Sequence, residues 1–268
     1  MNSKIYKFIG SLCCTLIILA GIQSCSEGMK KESPSVHWEK MGPGGGGATF
    51  IPTFSYKSPD NFLLRCDMTG SYLTRDGGIS YQQIDFAGGA YSYAWDPVDS
   101  NIVYIGSAFL NRSVDGGKTW KQIFPSKAEV TREIFRGDHA DYSIETTEKS
   151  LYAHESGRIG TIRVDPAHSG SVYFSMGPYF FYTVDSGVSW KRRTIPQPID
   201  FIYTNKTVVK DEVYIFTVSS VYVFNKKSLT ISQKNFPKAM LPAFYLTGGT
   251  EAKSDKVIFY ALHHEQHE

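Results

Sequence analysis

The chain has 268 residues, 20% of them charged, 14% aromatic, with 24 Gly and 12 Pro and a formal net charge of +2. This is the composition of a turn-rich, aromatic β protein with ample apolar content for a core. Near-neutral charge without a basic run argues against a nucleic-acid-binding surface.

In chain order, the first 25 residues stand apart. Lys4 and Lys7 make a basic start, and Phe8 to Ile22 is apolar but shorter than a bilayer span, as in the core of an export signal. The run ends Gly21-Ile22-Gln23-Ser24-Cys25. It resembles a bacterial lipobox, in which the Cys is lipidated and becomes the first residue. The expectation is a lipid anchor on Cys25 holding an exported protein to the bacterial outer membrane or in the periplasm. Residues 26 to 36, rich in Lys, Glu, Ser and Pro, read as a tether. Cys13 and Cys14 fall in the signal, so only Cys66 remains in the mature fold. A single thiol makes neither an internal disulfide nor a zinc cluster, and a buried strand cysteine is the simpler reading.

From residue 37 onward the chain repeats. Ser113-Val114-Asp115-Gly116-Gly117-Lys118-Thr119-Trp120 recurs as Thr74-Arg75-Asp76-Gly77-Gly78-Ile79-Ser80-Tyr81 and as Thr183-Val184-Asp185-Ser186-Gly187-Val188-Ser189-Trp190. A carboxylate that accepts backbone N–H bonds, a Gly that supplies positive φ and an aromatic on the returning strand describe a β-hairpin tip. Asp76, Asp115 and Asp185 are therefore structural. Upstream of each box lies a Pro-plus-Asp turn: Ser58-Pro59-Asp60-Asn61, Asp96-Pro97-Val98-Asp99 and Asp165-Pro166-Ala167-His168.

These signals predict four-stranded repeats. The first has strands near 48–56, 61–66 and 71–75 and from Tyr81; the second near 91–96, 102–106 and 111–114 and from Trp120; the third at 161–165, 172–176 and 180–184 and from Trp190. A fourth keeps strands at 213–216 and 221–224, with Asn225-Lys226-Lys227-Ser228 where a box should be. A fifth begins at Phe244-Tyr245-Leu246 and reaches Val257-Ile258-Phe259-Tyr260. The expected fold class is all-β, a β-propeller with four-stranded blades. His37-Trp38-Glu39-Lys40 resembles the strands after the boxes and would close the ring as an outermost strand. At 39 residues between the first two boxes, a closed ring calls for six to eight blades, so four and a half read as an N-terminal piece of about seven, inactive alone. Residues 126–158 interrupt the repeat with Arg132, Glu133, Arg136, Gly137, Asp138, His139 and Asp141; a loop of that length is functional or disordered.

Strand direction alternates along a blade, so the two ends differ. The boxes join third to fourth strands and define one end, the box end. The other, the loop end, gathers Gly44 to Gly47, Arg65-Cys66-Asp67-Met68-Thr69-Gly70, the 126–158 segment and His263-His264. Chemistry is expected at the loop end, where a Gly run leaves room for backbone to approach a ligand. His263 and His264 would ligate a metal only with residues from elsewhere.

The boxes resemble the Asp-box, or BNR, repeats of sialidase-type propellers, in register over residues 37–268. The Gly-rich opening with Arg65-Cys66-Asp67-Met68-Thr69-Gly70-Ser71-Tyr72 resembles xyloglucan-cleaving propeller hydrolases, which implies a catalytic carboxylate at Asp67; Met68-Thr69 stands where that family has a small residue and Gly. Ala48-Thr49-Phe50 and Gly137-Asp138-His139 resemble surface propeller lyases that cut rhamnose from glucuronate in plant glycans. A hydrolase needs an acid and a base about 6.5–9.5 Å apart. A lyase needs a base and a positive group for the enolate-like charge. The candidates are Asp67 or His139 as base and Arg65 or Arg136 as charge stabiliser, with Gly45, Gly46, Tyr72 and Asp138 contacting an oligosaccharide or polysaccharide. No cofactor or metal is expected, and no Ser-His-Asp, P-loop or zinc-spacing motif is present. The competing class is a non-catalytic propeller binding glycan or protein, since such repeats also occur in photosystem assembly factors and sortilin-like receptors.

Overall fold

The computed structural model describes residues 42–43, 47–67, 70–85, 88–135, 142–204, 211–235, 245–251 and 256–262. All belong to the unit Met41–Glu268; the signal, Cys25 and the tether lie outside the described residues. Four antiparallel sheets follow one another, each with its strands in sequence order. The first is β1 (Thr49–Phe54), β2 (Phe62–Cys66), β3 (Gly70–Thr74) and β4 (Gln82–Ile84). The second is β5 (Ser92–Trp95), β6 (Val103–Gly106), β7 (Leu110–Ser113) and β8 (Lys121–Phe124).

After a hairpin of β9 (Val130–Phe135) and β10 (Tyr142–Thr146), the third sheet is β11 (Ile162–Val164), β12 (Val172–Met176), β13 (Tyr179–Thr183) and β14 (Lys191–Thr194). The fourth is β15 (Ile199–Thr204), β16 (Glu212–Thr217), β17 (Val221–Asn225) and β18 (Thr230–Lys234), and β19 (Tyr245–Thr250) pairs with β20 (Val257–Leu262).

The first strands touch in succession, β1 to β5, β5 to β11, β11 to β15 and β15 to β19. Sheets so arranged are blades around an axis, and the fold is a β-propeller. Middle strands are covered on both faces by neighbouring blades, so β6 and β12 are buried throughout, whereas the outer strands β14 and β18 remain largely exposed. Blade-to-blade packing is aromatic. Between the second and third blades, Phe124, Phe174, Phe181 and Trp190 meet with ring centroids 4.6–5.7 Å apart, each pair adding about 0.5–1.5 kcal/mol beyond area burial.

The boxes form as the turn chemistry dictates, with one addition. In the second, the Ser113 hydroxyl donates to Asp115 Oδ1 at 2.7 Å and accepts Gly117 N–H at 2.7 Å. Asp115 Oδ1 accepts Thr119 N–H at 2.9 Å, and Oδ2 accepts the Thr119 hydroxyl at 2.6 Å. Thr74, Asp76 and Ser80, and Thr183, Asp185 and Ser189, repeat the pattern. The addition is that the second and third boxes also join blades. The Trp190 indole donates to Ile123 O of the second blade at 3.1 Å. A Cβ on Gly117, at φ +88°, would meet Leu73 of the first blade at 2.5 Å, so Gly is required there by conformation and space together.

In the fourth blade, Asn225 Oδ1 accepts the N–H groups of Lys227 and Ser228 in an Asx turn. Lys226 then reaches back to the buried Asp165 of the third blade, Nζ to Oδ2 at 2.9 Å. The lost box is thus replaced by a buried ion pair doing the same inter-blade joining.

Segment 126–158, read from sequence as a loop, differs from that reading. It carries the β9–β10 hairpin, and Tyr142, Ile144, Tyr152 and Ala153, with Ile159 just after the segment, enter the core between the second and third blades. The end of the segment lies across the loop end: Ile159, the next residue, donates its N–H to Ser107 O at 2.9 Å, and a Cβ on Gly177 would meet Ser156 Oγ at 2.3 Å.

Candidate functional site

The loop end is built from second-to-third bends and the connections that lead into each first strand. Asp67, at the bend after β2, is exposed. Its Oδ1 accepts Ala48 N–H at 2.9 Å, while its own N–H donates to Ala48 O at 3.2 Å. The bend is therefore clasped to the start of β1, which accounts for a carboxylate at this position on local grounds. Oδ2 has no hydrogen-bond partner among the described residues. Cys66 is buried and free of disulfide, with Sγ 3.7 Å from Asp67 Oδ1.

Arg65 pairs with Ser71 across β2 and β3 and so shares the face that meets the second blade. There its guanidinium lies over the Tyr91 ring at 5.0 Å, and Arg158, from the end of the inserted segment, lies over the same ring at 4.6 Å. Neither arginine forms an ion pair with a described acid, and Arg65 Nε is buried without a hydrogen-bond partner. Beneath them, the Tyr93 hydroxyl is 2.7 Å from Ser71 Oγ, and burial pushes it up to about 12, against the opposing pull of that bond and of Arg65. Three chain segments thus converge to hold two guanidinium groups on one aromatic ring.

A second polar group lies farther along the inserted segment. The Tyr179 hydroxyl donates to Glu155 Oε1, and this bond holds the Glu155 carboxyl below the usual carboxylate range and the Tyr179 hydroxyl above its own. Arg192 lies over the Tyr179 ring at 4.8 Å and donates from Nη1 to Leu151 O at 3.0 Å. His154 Nε2 is 3.0 Å from Thr146 Oγ1, with its ring edge-on to Tyr152. Glu155 stays ionised near neutrality and acts as an acceptor rather than a proton donor.

Of the residues singled out from sequence, Asp67 and Arg65 lie at this end. Tyr72 pairs with Leu64, on the opposite face of the first sheet from Arg65, and its ring meets Tyr81 edge-on at 6.3 Å. Gly45, Gly46, Arg136, Asp138, His139, His263 and His264 lie outside the described residues. Asp76, Asp115 and Asp185 are at the box end with their carboxylates consumed by turn bonds. Sequence reasoning missed Tyr91, Arg158, His154, Glu155, Tyr179 and Arg192. The period-two pattern Tyr142-Ser143-Ile144 would have marked the inserted segment as packed structure; Arg158 and Tyr91 belong to no motif. Among the described residues no three His, Cys, Asp or Glu side chains group to hold a metal ion.

An exposed carboxylate at the same end of the blades as a ring bearing two cations suits a polyhydroxylated, partly charged ligand: the ring offers an apolar platform, the guanidinium groups offer forked donors. No family model matches the chain. It is 27% identical over 214 residues to a xyloglucanase from Acetivibrio thermocellus, a match covering 72% of this chain and 23% of that protein. The chain thus spans less than a quarter of that relative's length. Among solved structures, a GH74 enzyme from Niastella koreensis superposes with a TM-score of 0.47 at 14% identity, over 67% of this chain and 29% of that one. YCF48 bound to D1 peptide superposes with a TM-score of 0.49 at 14% identity, over 80% and 65%.

Proposed function

We propose that this chain is the glycan-engaging part of a carbohydrate-active β-propeller, with the sugar chain lying across the loop end. The observation that carries the reading is the Arg65–Tyr91–Arg158 stack at the same end of the blades as the exposed carboxylate of Asp67. The similarity to a xyloglucanase supports hydrolysis of a plant polysaccharide, with Asp67 as one of the two carboxylates such a reaction uses. The second carboxylate is not among the residues that touch Asp67.

A second reading, a polysaccharide lyase acting on uronate-containing glycans, is favoured by the two arginines that have no acidic partner among the described residues. Asp67 or His139 would remove the proton beside the uronate carboxylate, and Arg65 and Arg158 would stabilise the charge that develops. The lipobox-like run ending at Cys25 supports attachment to the bacterial outer membrane or a place in the periplasm, where such glycans are met.

The test is incubation of the protein with xyloglucan and, separately, with a rhamnose–glucuronate glycan. New reducing ends without ultraviolet absorbance support the hydrolase; an unsaturated, ultraviolet-absorbing product supports the lyase. Glycan binding with no cleavage of either kind assigns a non-catalytic binding propeller, and absence of both binding and cleavage overturns the glycan reading.

A further inference from the structure

The first strands of the blades converge on an axial cavity of about 370 Å³, within the roughly 300–1,000 Å³ range of small-molecule sites. Aromatic side chains dominate its wall, among them Phe54, Tyr56, Trp95, Tyr203 and Tyr245. Among the described residues that line it, one is charged, Arg163 of β11, and none is acidic. The guanidinium donates from Nη1 to Ile162 O at 2.8 Å. No described acid lies within ion-pair distance of it, and no described ring takes it at cation–π distance. The ionisable groups that bear on it are Tyr56 and Tyr245, and desolvation holds its pKa below the ordinary value. Of five N–H donors, most are left to be met from within the cavity.

A half-buried guanidinium with no counter-charge among the described residues is costly to keep. The guanidinium's hydrogen bond goes to a neutral backbone carbonyl, so the cation calls for an anionic partner that the described residues do not supply. We propose that the axial cavity binds a small organic anion, its carboxylate held by Arg163 and its body lying among the aromatic rings. The site uses none of Asp67, Arg65, Tyr91 or Arg158 and does not rest on the glycan reading.

Trp95 in the wall provides an internal reporter. The experiment titrates the protein with benzoate and with glucuronate, each beside its uncharged counterpart, benzamide and glucose, following tryptophan fluorescence and calorimetric heat. At least one carboxylate binds saturably while its neutral counterpart does not; which of the two binds tells an aromatic from a sugar body. Arg163→Met weakens that binding roughly ten- to a hundredfold, the worth of a lost charge-assisted hydrogen bond, and leaves Tm unchanged or higher because an uncompensated cation has been removed. Equal binding of neutral and charged probes, no binding of either carboxylate, or unchanged affinity in Arg163→Met overturns the proposal. Should Arg163→Met not fold, Arg163→Lys and Tyr245→Phe carry the test: weakened carboxylate binding in both sustains the site, and wild-type affinity in both removes it.

Discussion

At the scale of single residues, the box carboxylates show how a group can be conspicuous and yet occupied. Asp76 accepts from the Ser80 hydroxyl and N–H and from the Thr74 hydroxyl, and these bonds hold its carboxyl down at about 2, from an ordinary 3.8. A carboxyl whose folded-state pKa is depressed stabilises the fold at every pH above its ordinary value, and that contribution is lost as pH falls through the folded value. The difference in urea midpoint between wild type and Asp76→Asn should therefore be constant from about pH 7 to about pH 5 and close as pH approaches about 2. A gap that stays constant down to the acid limit would show that the ionised form is not what the turn requires. Ser113 has a different role, because its buried hydroxyl accepts the buried Gly117 N–H. Ser113→Ala leaves that donor unmet and should destabilise by about 1–3 kcal/mol, measurable by chemical denaturation; a change within a few tenths of zero would mean water takes the hydroxyl's place.

At the scale of elements, the third and fourth blades share an aromatic core and add to it an ion pair in the turn where a box is missing. Asp165 is fully buried, with Oδ1 accepting Ala167 N–H at 2.9 Å and Oδ2 accepting the Tyr173 hydroxyl at 3.0 Å and Lys226 at 2.9 Å. Removing the cation strands a buried carboxylate, so Lys226→Met should cost about 3–5 kcal/mol. The double variant Asp165→Asn with Lys226→Met should recover much of that loss, giving a large interaction energy in a double-mutant cycle; additive effects would place Lys226 outside the pair. This contact also marks the limit of what the sequence makes legible. Boxes and Pro-plus-Asp turns are local chemistry, so in the three blades that carry them the order and bounds of the strands could be read to within a residue or two. Lys226 shows only as an irregular turn in sequence, because its partner lies on another blade. The β9–β10 hairpin was hidden by its charges: Arg132, Glu133 and Glu145 face solvent, while Tyr142 and Ile144, with Val130 in part, turn inward.

At the scale of the whole molecule, the alternation of strand direction divides labour between the two ends. Which end holds the proposed site follows from the sequence, since the boxes fill the other with satisfied turns. Which residues make up that proposed site does not, because Arg65, Tyr91 and Arg158 come from two blades and an inserted segment and meet only in the folded state. That division yields a paired prediction. In Asp67→Asn the amide oxygen can still accept Ala48 N–H, so the bend persists and Tm should hold, while cleavage of the glycan should fall by roughly 10²–10⁴ if the carboxylate transfers a proton. In Asp115→Asn the Thr119 hydroxyl and N–H lose their ionised acceptor, so Tm should fall while kcat per folded molecule stays at the wild-type value. The two variants, compared by thermal melting and by product release at a temperature where both are folded, separate a group that does chemistry from one that holds a turn. Full activity in Asp67→Asn would reduce that carboxylate to a brace between the first bend and β1.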